Sequence, residues 1–243
     1  MDYFDARQKI VNQIKNFVGD RNAVIGESGG IDSALITFLC VEAIGPNRVI
    51  ARTMPYGEQA TADADIVASI LDIKNYGCVN IKPMVDAFGF TNRMTIGNTK
   101  ARMRMSILYA LAAENNGMVI GTSNKTEMKL GYFTKFGDGG CDVEPIGDLY
   151  KTDVWAMAKT YSNFPQGIIT KAPSAELWSG QTDESEIGMT YAEMDRILKG
   201  LEKIGCPDCY LMKTDLGDTN YKKIVDMYKR TEHKRHMPPT FLI

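Results

Sequence analysis

The chain has 243 residues, 44% hydrophobic and 24% charged, with 28 Lys and Arg against 30 Asp and Glu and a formal net charge of -2. This composition suits a single α/β domain over 1–243 with a well-buried core, gives no general positive field for nucleic acid, and contains no apolar run long enough for a membrane span. The acidic start Met1-Asp2-Tyr3-Phe4-Asp5 and five cysteines at scattered spacing are unlike a secreted, disulfide-bonded chain and point to the cytoplasm.

Residues near 3 to 18 read as an amphipathic helix with Phe4, Ile10, Ile14 and Phe17 on one side. A strand is predicted at 22–26, followed by Ser28-Gly29-Gly30-Ile31-Asp32-Ser33 and then a helix near 32–44. Two adjacent glycines between a strand and a helix let main-chain N–H groups approach an anion, and Ser28 and Ser33 add hydroxyls. This is not the phosphate loop that ends in Gly-Lys-Ser/Thr, because an aspartate occupies the turn. A carboxylate beside a phosphate cradle calls for an intervening cation, so Asp32 suits a Mg²⁺ ligand; it suits a helix cap equally well.

Further strands are predicted at 48–53, 76–81 and 117–121, alternating with helices near 59–71 and 98–116. Such alternation implies a doubly wound parallel sheet with helices on both faces and ligands at the strand C-termini. After the last strand, Gly121-Thr122-Ser123-Asn124-Lys125-Thr126-Glu127 offers either a capping box between Asn124 and Glu127 or, in Glu127, a second carboxylate for the same metal. The glycine-rich and charged stretch 131–142 reads as a mobile functional loop. Helices follow near 151–160, 190–200 and 219–235, the last ending in His233-Lys234-Arg235-His236, where basic side chains suit a helix C-terminus. Cys206-Pro207-Asp208-Cys209 is a lone CxxC and reads as an inert pair, since zinc would need two more ligands.

The phosphate turn resembles that of the N-type ATP pyrophosphatases. The further motifs Ala101-Arg102-Met103-Arg104-Met105, Gly121 to Lys125, Gly131 to Asp142, Gly147-Asp148-Leu149-Tyr150-Lys151, Pro173-Ser174-Ala175-Glu176-Leu177-Trp178, Gly180-Gln181-Thr182-Asp183-Glu184 and His233-Lys234-Arg235 resemble the ammonia-dependent NAD synthetases over nearly the whole chain. The resemblance implies a flavodoxin-like homodimer that uses ATP, Mg²⁺ and ammonia to convert deamido-NAD to NAD, AMP and pyrophosphate. It assigns Ser28, Gly29, Gly30, Asp32, Ser33, Gln59, Thr122, Lys151 and Ser174 to ATP, with Asp32 and Glu127 holding the metal and Lys151 supplying the charge that the turn lacks. It assigns Arg102, Lys135, Asp142, His233 and Lys234 to deamido-NAD, with contributions across the dimer interface, and places Asp138 where it would orient ammonia or take its proton. No length remains for the amidase domain of glutamine-dependent relatives, so ammonia is expected free or from a separate protein. One departure is Glu27, which stands before the turn where related proteins usually have an apolar residue. Its side chain is expected to turn away from the ligand or to pair with a cation, the alternative being support of the metal.

The nearest rival is an ATP pyrophosphatase acting on tRNA, which needs a basic surface that this chain offers only near its C-terminus. A nucleotide sensor without turnover is the other. It would be expected to have lost phosphate or metal contacts, yet Asp32, Glu127 and Lys151 are all present.

Overall fold

In the computed structural model, which describes residues 1–174, 180, 182–204 and 218–241, four strands form one parallel sheet. They are β1 (Asn22–Gly26), β2 (Val49–Thr53), β3 (Asn75–Cys78) and β4 (Gly117–Ile120), in the spatial order β3-β2-β1-β4. The chain builds outward from β1 through β2 to β3, then crosses back to lay β4 on the other side of β1. The order reverses between β1 and β4, and in open parallel sheets ligands bind at that crevice.

The central strands β1 and β2 are buried on both faces, while the edge strand β3 is half-buried and ends exposed at Cys78. Ala23 and Ile25 of β1 pack with Val11, Ile14 and Val18 of α1 (Tyr3–Val18) and with Leu35, Phe38 and Leu39 of α2 (Ile31–Ile44). Val24 points the opposite way, to Ile50, Val119 and Ala112, the last on a long helix before β4. This alternation follows from the period of two along a strand. Burying each such Val, Ile or Leu contributes roughly 1.5–3 kcal/mol.

The helix faces depart from expectation in one place. Val11, Ile14 and Val18 form the buried stripe of α1, whereas Phe4 and Phe17 are exposed, with Arg7 lying over the Phe4 ring. Residues 11, 14 and 18 are spaced three and four apart and so share the face turned to α2. Phe17 lies off that stripe, whereas Phe4, seven residues before Val11 and so nearly in line with it, is exposed in the first turn of the helix.

Further along come α3 (Ala62–Ile70), α4 (Lys82–Asp86), α5 (Arg93–Glu114), α6 (Lys125–Leu130), α7 (Lys151–Ala158), α8 (Gln166–Thr170), α9 (Asp183–Ile187), α10 (Tyr191–Ile204) and α11 (Asp218–Arg230). α5 starts five residues before its predicted position because Asn92 caps it, accepting a hydrogen bond from Thr95 N at 3.0 Å. The last helix stops at Arg230, short of 235. There Thr231 Oγ1 lies 2.7 Å from Met227 O and 3.1 Å from Leu130 O, Arg235 Nη1 donates to Lys129 O at 3.0 Å and so draws the chain back onto α6, and His233 and Lys234 sit in a separate tight turn. A second apolar cluster of Leu130, Tyr150, Ile187, Tyr191, Met194, Ile197, Tyr221 and Ile224 binds α6, α9, α10 and α11 together beside the sheet. Cys206 and Cys209 lie outside the described residues.

Candidate active site

The turn after β1 is held from within. Gly29 has φ +79°, and a Cβ there would lie 2.6 Å from Asp63 Cβ and 2.9 Å from Ala64 N, so only glycine fits. Its N–H is not offered to a ligand: it donates to Glu27 Oε1 at 2.8 Å. This corrects the expectation that Gly29 supplies a phosphate donor, because a buried N–H must find a partner and Glu27 is the one at hand. Ser28, Gly30, Asp32 and Ser33 do line the cavity that opens above the turn. Ser33 Oγ is shared among Ser28 N at 3.2 Å, Ser28 Oγ at 3.0 Å and Glu27 Oε1 at 2.8 Å.

Glu27 itself is 1% exposed. It borders the cavity, and its carboxyl meets neutral donors, Gly29 N, Ser33 Oγ and Thr37 Oγ1, where a cation was one expectation.

From β4 the chain enters α6 through a capping box. Asn124 Oδ1 accepts from Glu127 N at 3.0 Å and Glu127 Oε2 accepts from Asn124 N at 3.2 Å. The cap and the carboxylate role are therefore compatible, since Glu127 uses one oxygen for each. Its Oε1 lies 3.6 Å from Lys151 Nζ, which also pairs with Asp32. Asn124 Nδ2 donates to the second Asp32 oxygen at 3.0 Å. Lys151 opens α7, with its backbone N–H on Thr126 Oγ1 at 3.0 Å and its side chain 3% exposed. Turn, second loop and α7 thus meet on one ammonium.

The electrostatics of this triad are unbalanced toward negative charge. Burial, and then Asp32 beside it, push the Glu127 carboxyl up to about 8, against the pull of Lys151. Burial opposes the charge on Lys151, but Asp32 and Glu127 outweigh it and hold the ammonium protonated. Asp183, buried at the start of α9 and bonded to Tyr191 OH at 2.8 Å, adds more negative charge nearby.

The cavity has a volume of about 990 Å³ and reaches from the turn to the segment after α11. Gln59, Thr122 and Ser174 line it, Gln59 Oε1 accepting from Tyr56 N at 2.6 Å. Asp138 lines it too and is open to it. Its Oδ1 accepts from Thr134 N at 2.8 Å, and the protein walling it in raises its carboxyl while Lys234 and Arg104 work the other way. The stretch 131–142, where Phe136, Asp138 and Gly139 are exposed, is tied down at two points. Thr134 Oγ1 bonds Asn98 Oδ1 at 2.8 Å, and a Cβ on Gly139 would fall 2.4 Å from the Phe133 ring, so this glycine serves close approach.

Of the residues assigned to deamido-NAD, only Lys234 faces the cavity, with its ammonium on Gly131 O at 2.7 Å. Arg102, Lys135 and His233 form a chain along the outer edge: Arg102 Nη2 reaches Lys135 O at 3.4 Å and Lys135 Nζ reaches His233 O at 2.6 Å. Asp142 accepts from Val119 N at 2.8 Å and Tyr109 OH at 3.1 Å, at the edge of β4.

Several cations inside the cavity were not singled out from the sequence: Arg104, Lys171, Lys222, Lys223 and Arg230. Arg104 stands two residues after Arg102, inside a quoted motif, and that spacing was the available signal. The others sit on segments whose basic residues look like any solvated face.

The family model described as NAD synthase matches residues 4–238. The NH(3)-dependent NAD(+) synthetase of Thermoplasma acidophilum is 45% identical across 98% of this chain and 97% of its own length, and that of Methanosarcina mazei 43% across 98% of each. Among solved structures, NH3-dependent NAD synthetase from Campylobacter jejuni in complex with the nitrate ion is 32% identical with a TM-score of 0.83, and NMN synthetase from Francisella tularensis 35% identical with a TM-score of 0.87. Both alignments cover 100% of each chain. With a parallel sheet whose order reverses at a Ser-Gly-Gly turn, and an alignment that runs almost end to end, the chain belongs to the NAD synthase family.

Proposed function

We propose that the chain catalyses the ATP-dependent amidation of deamido-NAD by ammonia, giving NAD, AMP and pyrophosphate. A carboxylate is a poor acyl donor because ammonia would have to expel oxide. A nicotinate oxygen therefore attacks the α-phosphorus of ATP, forming a P–O bond as the bond to the bridging oxygen breaks and pyrophosphate leaves. Ammonia next adds to the acyl carbon and AMP departs with that oxygen, while the nitrogen loses a proton. Negative charge accumulates on the pyrophosphate in the first step, so positioned positive charge and hydrogen-bond donors govern the rate. The observation that carries this reading is the convergence of the Ser28 to Ser33 turn with Asp32, Glu127 and Lys151 at the reversal point, beneath a cavity rimmed by cations.

Ser28, Gly30 and Ser33 hold the leaving pyrophosphate, and Lys151 neutralises it. Gln59, Thr122 and Ser174 contact the rest of the nucleotide. Asp138, bordering the cavity, orients ammonia or accepts its proton. The donor set fits Mg²⁺: burial, and then the adjoining Asp32 carboxylate, keep Glu127 well above its ordinary range, and a hard cation that takes oxygen ligands suits two such neighbouring carboxylates. Among the described residues no group of three or more His, Cys, Asp or Glu is placed to hold a metal, so Asp32 and Glu127 would share the ion with phosphate oxygens. When bound, the ion supplies positive charge to those oxygens.

Deamido-NAD extends past the cavity to Arg102, Lys135, Asp142 and His233, and a second copy of the chain completes its site. Phe88 and Phe90, stacked at 5.6 Å and about half exposed, and Met94 at the start of α5, give that homodimer an apolar contact. No helix among the described residues is long and apolar enough to cross a membrane, Cys40, Cys78 and Cys141 are unpaired, and we place the enzyme in the cytoplasm.

Incubation with deamido-NAD, ATP, Mg²⁺ and ammonium should yield AMP and NAD in equal amounts, and ¹⁸O in the nicotinate carboxyl should appear in AMP. Absence of both products would overturn the reading. The Francisella relative supports a second acceptor, nicotinate mononucleotide, which carries the same reacting carboxyl. The ratio of kcat/KM values for the two acids decides which one the enzyme favours.

A further inference from the structure

Glu27 occupies an odd position for a charge, since its carboxyl lies directly behind a turn that binds an anion, at 1% exposure and with no cation on it. Its two oxygens have different surroundings. Oε1 accepts from Gly29 N at 2.8 Å and from Ser33 Oγ at 2.8 Å. Oε2 meets a single group, Thr37 Oγ1, at 2.6 Å. That hydroxyl is also 2.8 Å from Ser33 O, a carbonyl that can only accept. A threonine hydroxyl has one proton to donate and lone pairs to accept with. It cannot donate to both neighbours at full strength, and two acceptors facing each other at such distances without a proton between them repel. Both contacts become hydrogen bonds if Oε2 carries a proton and donates it to Thr37, which in turn donates to Ser33 O.

We infer that Glu27 is a neutral carboxylic acid and a positioning residue for the phosphate turn: it draws in Gly29 N and Ser33 Oγ through one oxygen, locks the first turn of α2 through the other, and places no charge behind the nucleotide. Burial favours the same protonated form. The charged and titratable groups on the surrounding elements do not engage it. Asp32 of α2 pairs with Lys151, and Arg52 of β2 bonds Asn75. Tyr76 of β3 donates to Asp65 of α3, whose neighbour Asp63 pairs with Lys171. Burial and the bond to Asp65 hold the Tyr76 proton more tightly than usual, so this phenol stays neutral and brings no charge to Glu27.

Ionisation of Glu27 would put a like charge behind the phosphates, so KM for ATP should climb on the order of tenfold or more as pH rises through its ionisation. Glu27→Gln mimics the neutral acid, with its carbonyl in the place of Oε1 and its amide donating to Thr37, at the cost of one unpartnered amide hydrogen. The nucleotide effect rests on the chain acting as proposed above, whereas the proton can be detected in the protein alone. Infrared difference spectra at neutral pH should show a protonated-carboxyl C=O band in the parent chain that Glu27→Gln lacks. The ATP KM of Glu27→Gln should lack the alkaline rise of the parent. No difference in the band overturns the neutral acid, and an identical alkaline rise in both proteins overturns its link to ATP. Absence of any turnover in the parent with a band present rejects the activity and leaves the acid standing. Thr37→Val, which removes the acceptor of that proton, should shift the band and so provides the same test if Glu27→Gln does not fold.

Discussion

Glu144 lies half-buried behind the loop that carries Thr122, with Oε2 accepting from Ser123 N at 2.9 Å and the Cys141 thiol alongside. Burial pushes its carboxyl up to about 7, against the pull of those bonds. A raised acid binds its proton more tightly folded than unfolded, so this contribution is complete below the ordinary carboxylate range and is lost as pH rises through about 7. Replacing it by Gln should remove that slope. Urea denaturation between pH 5 and pH 8 is expected to show the parent losing about 2.5 kcal/mol relative to Glu144→Gln. Lys151 presents the opposite case, a cation between two carboxylates. Lys151→Met leaves Asp32 and Glu127 facing each other and should destabilise the fold by about 3 kcal/mol at neutral pH while abolishing turnover, with the stability loss shrinking in acid as the carboxylates take up protons. At Gly29, where backbone and packing both demand glycine, Gly29→Ala should cost roughly 1–3 kcal/mol from the positive φ alone, and more from the contact with Asp63.

Among the elements, α6 shows most directly how local chemistry and site geometry are coupled. Asn124 caps the helix and holds Asp32 with one side chain. Asn124→Ala should lower stability by about 1 kcal/mol, measured by denaturant titration, and should also raise the KM for ATP because Asp32 loses the amide that fixes its second oxygen and keeps only Lys151. A cap elsewhere in the chain would change the first quantity without the second. The capping box was readable as a pattern, Asn three residues before Glu after an apolar run, and so were β1, β2 and β4 from their Ala-Val-Ile, Val-Ile-Ala and Met-Val-Ile runs, whereas β3, expected over 76–81, is the short Asn75–Cys78, which has no such run. α4, α8 and α9 were not readable, because a helix of five residues ends before a 3.6-residue period can repeat. Phe4 and Phe17 misled for different reasons: Phe17 is one position off the stripe, and Phe4 is in line with it but sits in the first turn, where it stays exposed.

For the molecule as a whole, the turn, Asp32, Glu127 and Lys151 were legible because each follows a strand or opens a helix, where the strand order alone brings them together. Arg104, Lys171, Lys222, Lys223 and Arg230 were not, since only the packing of α5, the end of α8 and α11 around the cavity separates them from ordinary surface charges. The proposed homodimer has its own consequence. Sedimentation of the parent chain should show twice the monomer mass of 27.0 kDa, and Phe90→Glu should give a monomer that keeps its secondary structure but binds deamido-NAD poorly. Finally, the ion pair between Asp32 and Lys151 spans 119 residues. On a ribosome, a nascent chain that has already released its glycine turn still lacks the partner for it until Lys151 has emerged and docked. Nucleotide capture should therefore arrive late and abruptly during synthesis, and stalled chains ending before that lysine should pass through an ATP-affinity resin unretained.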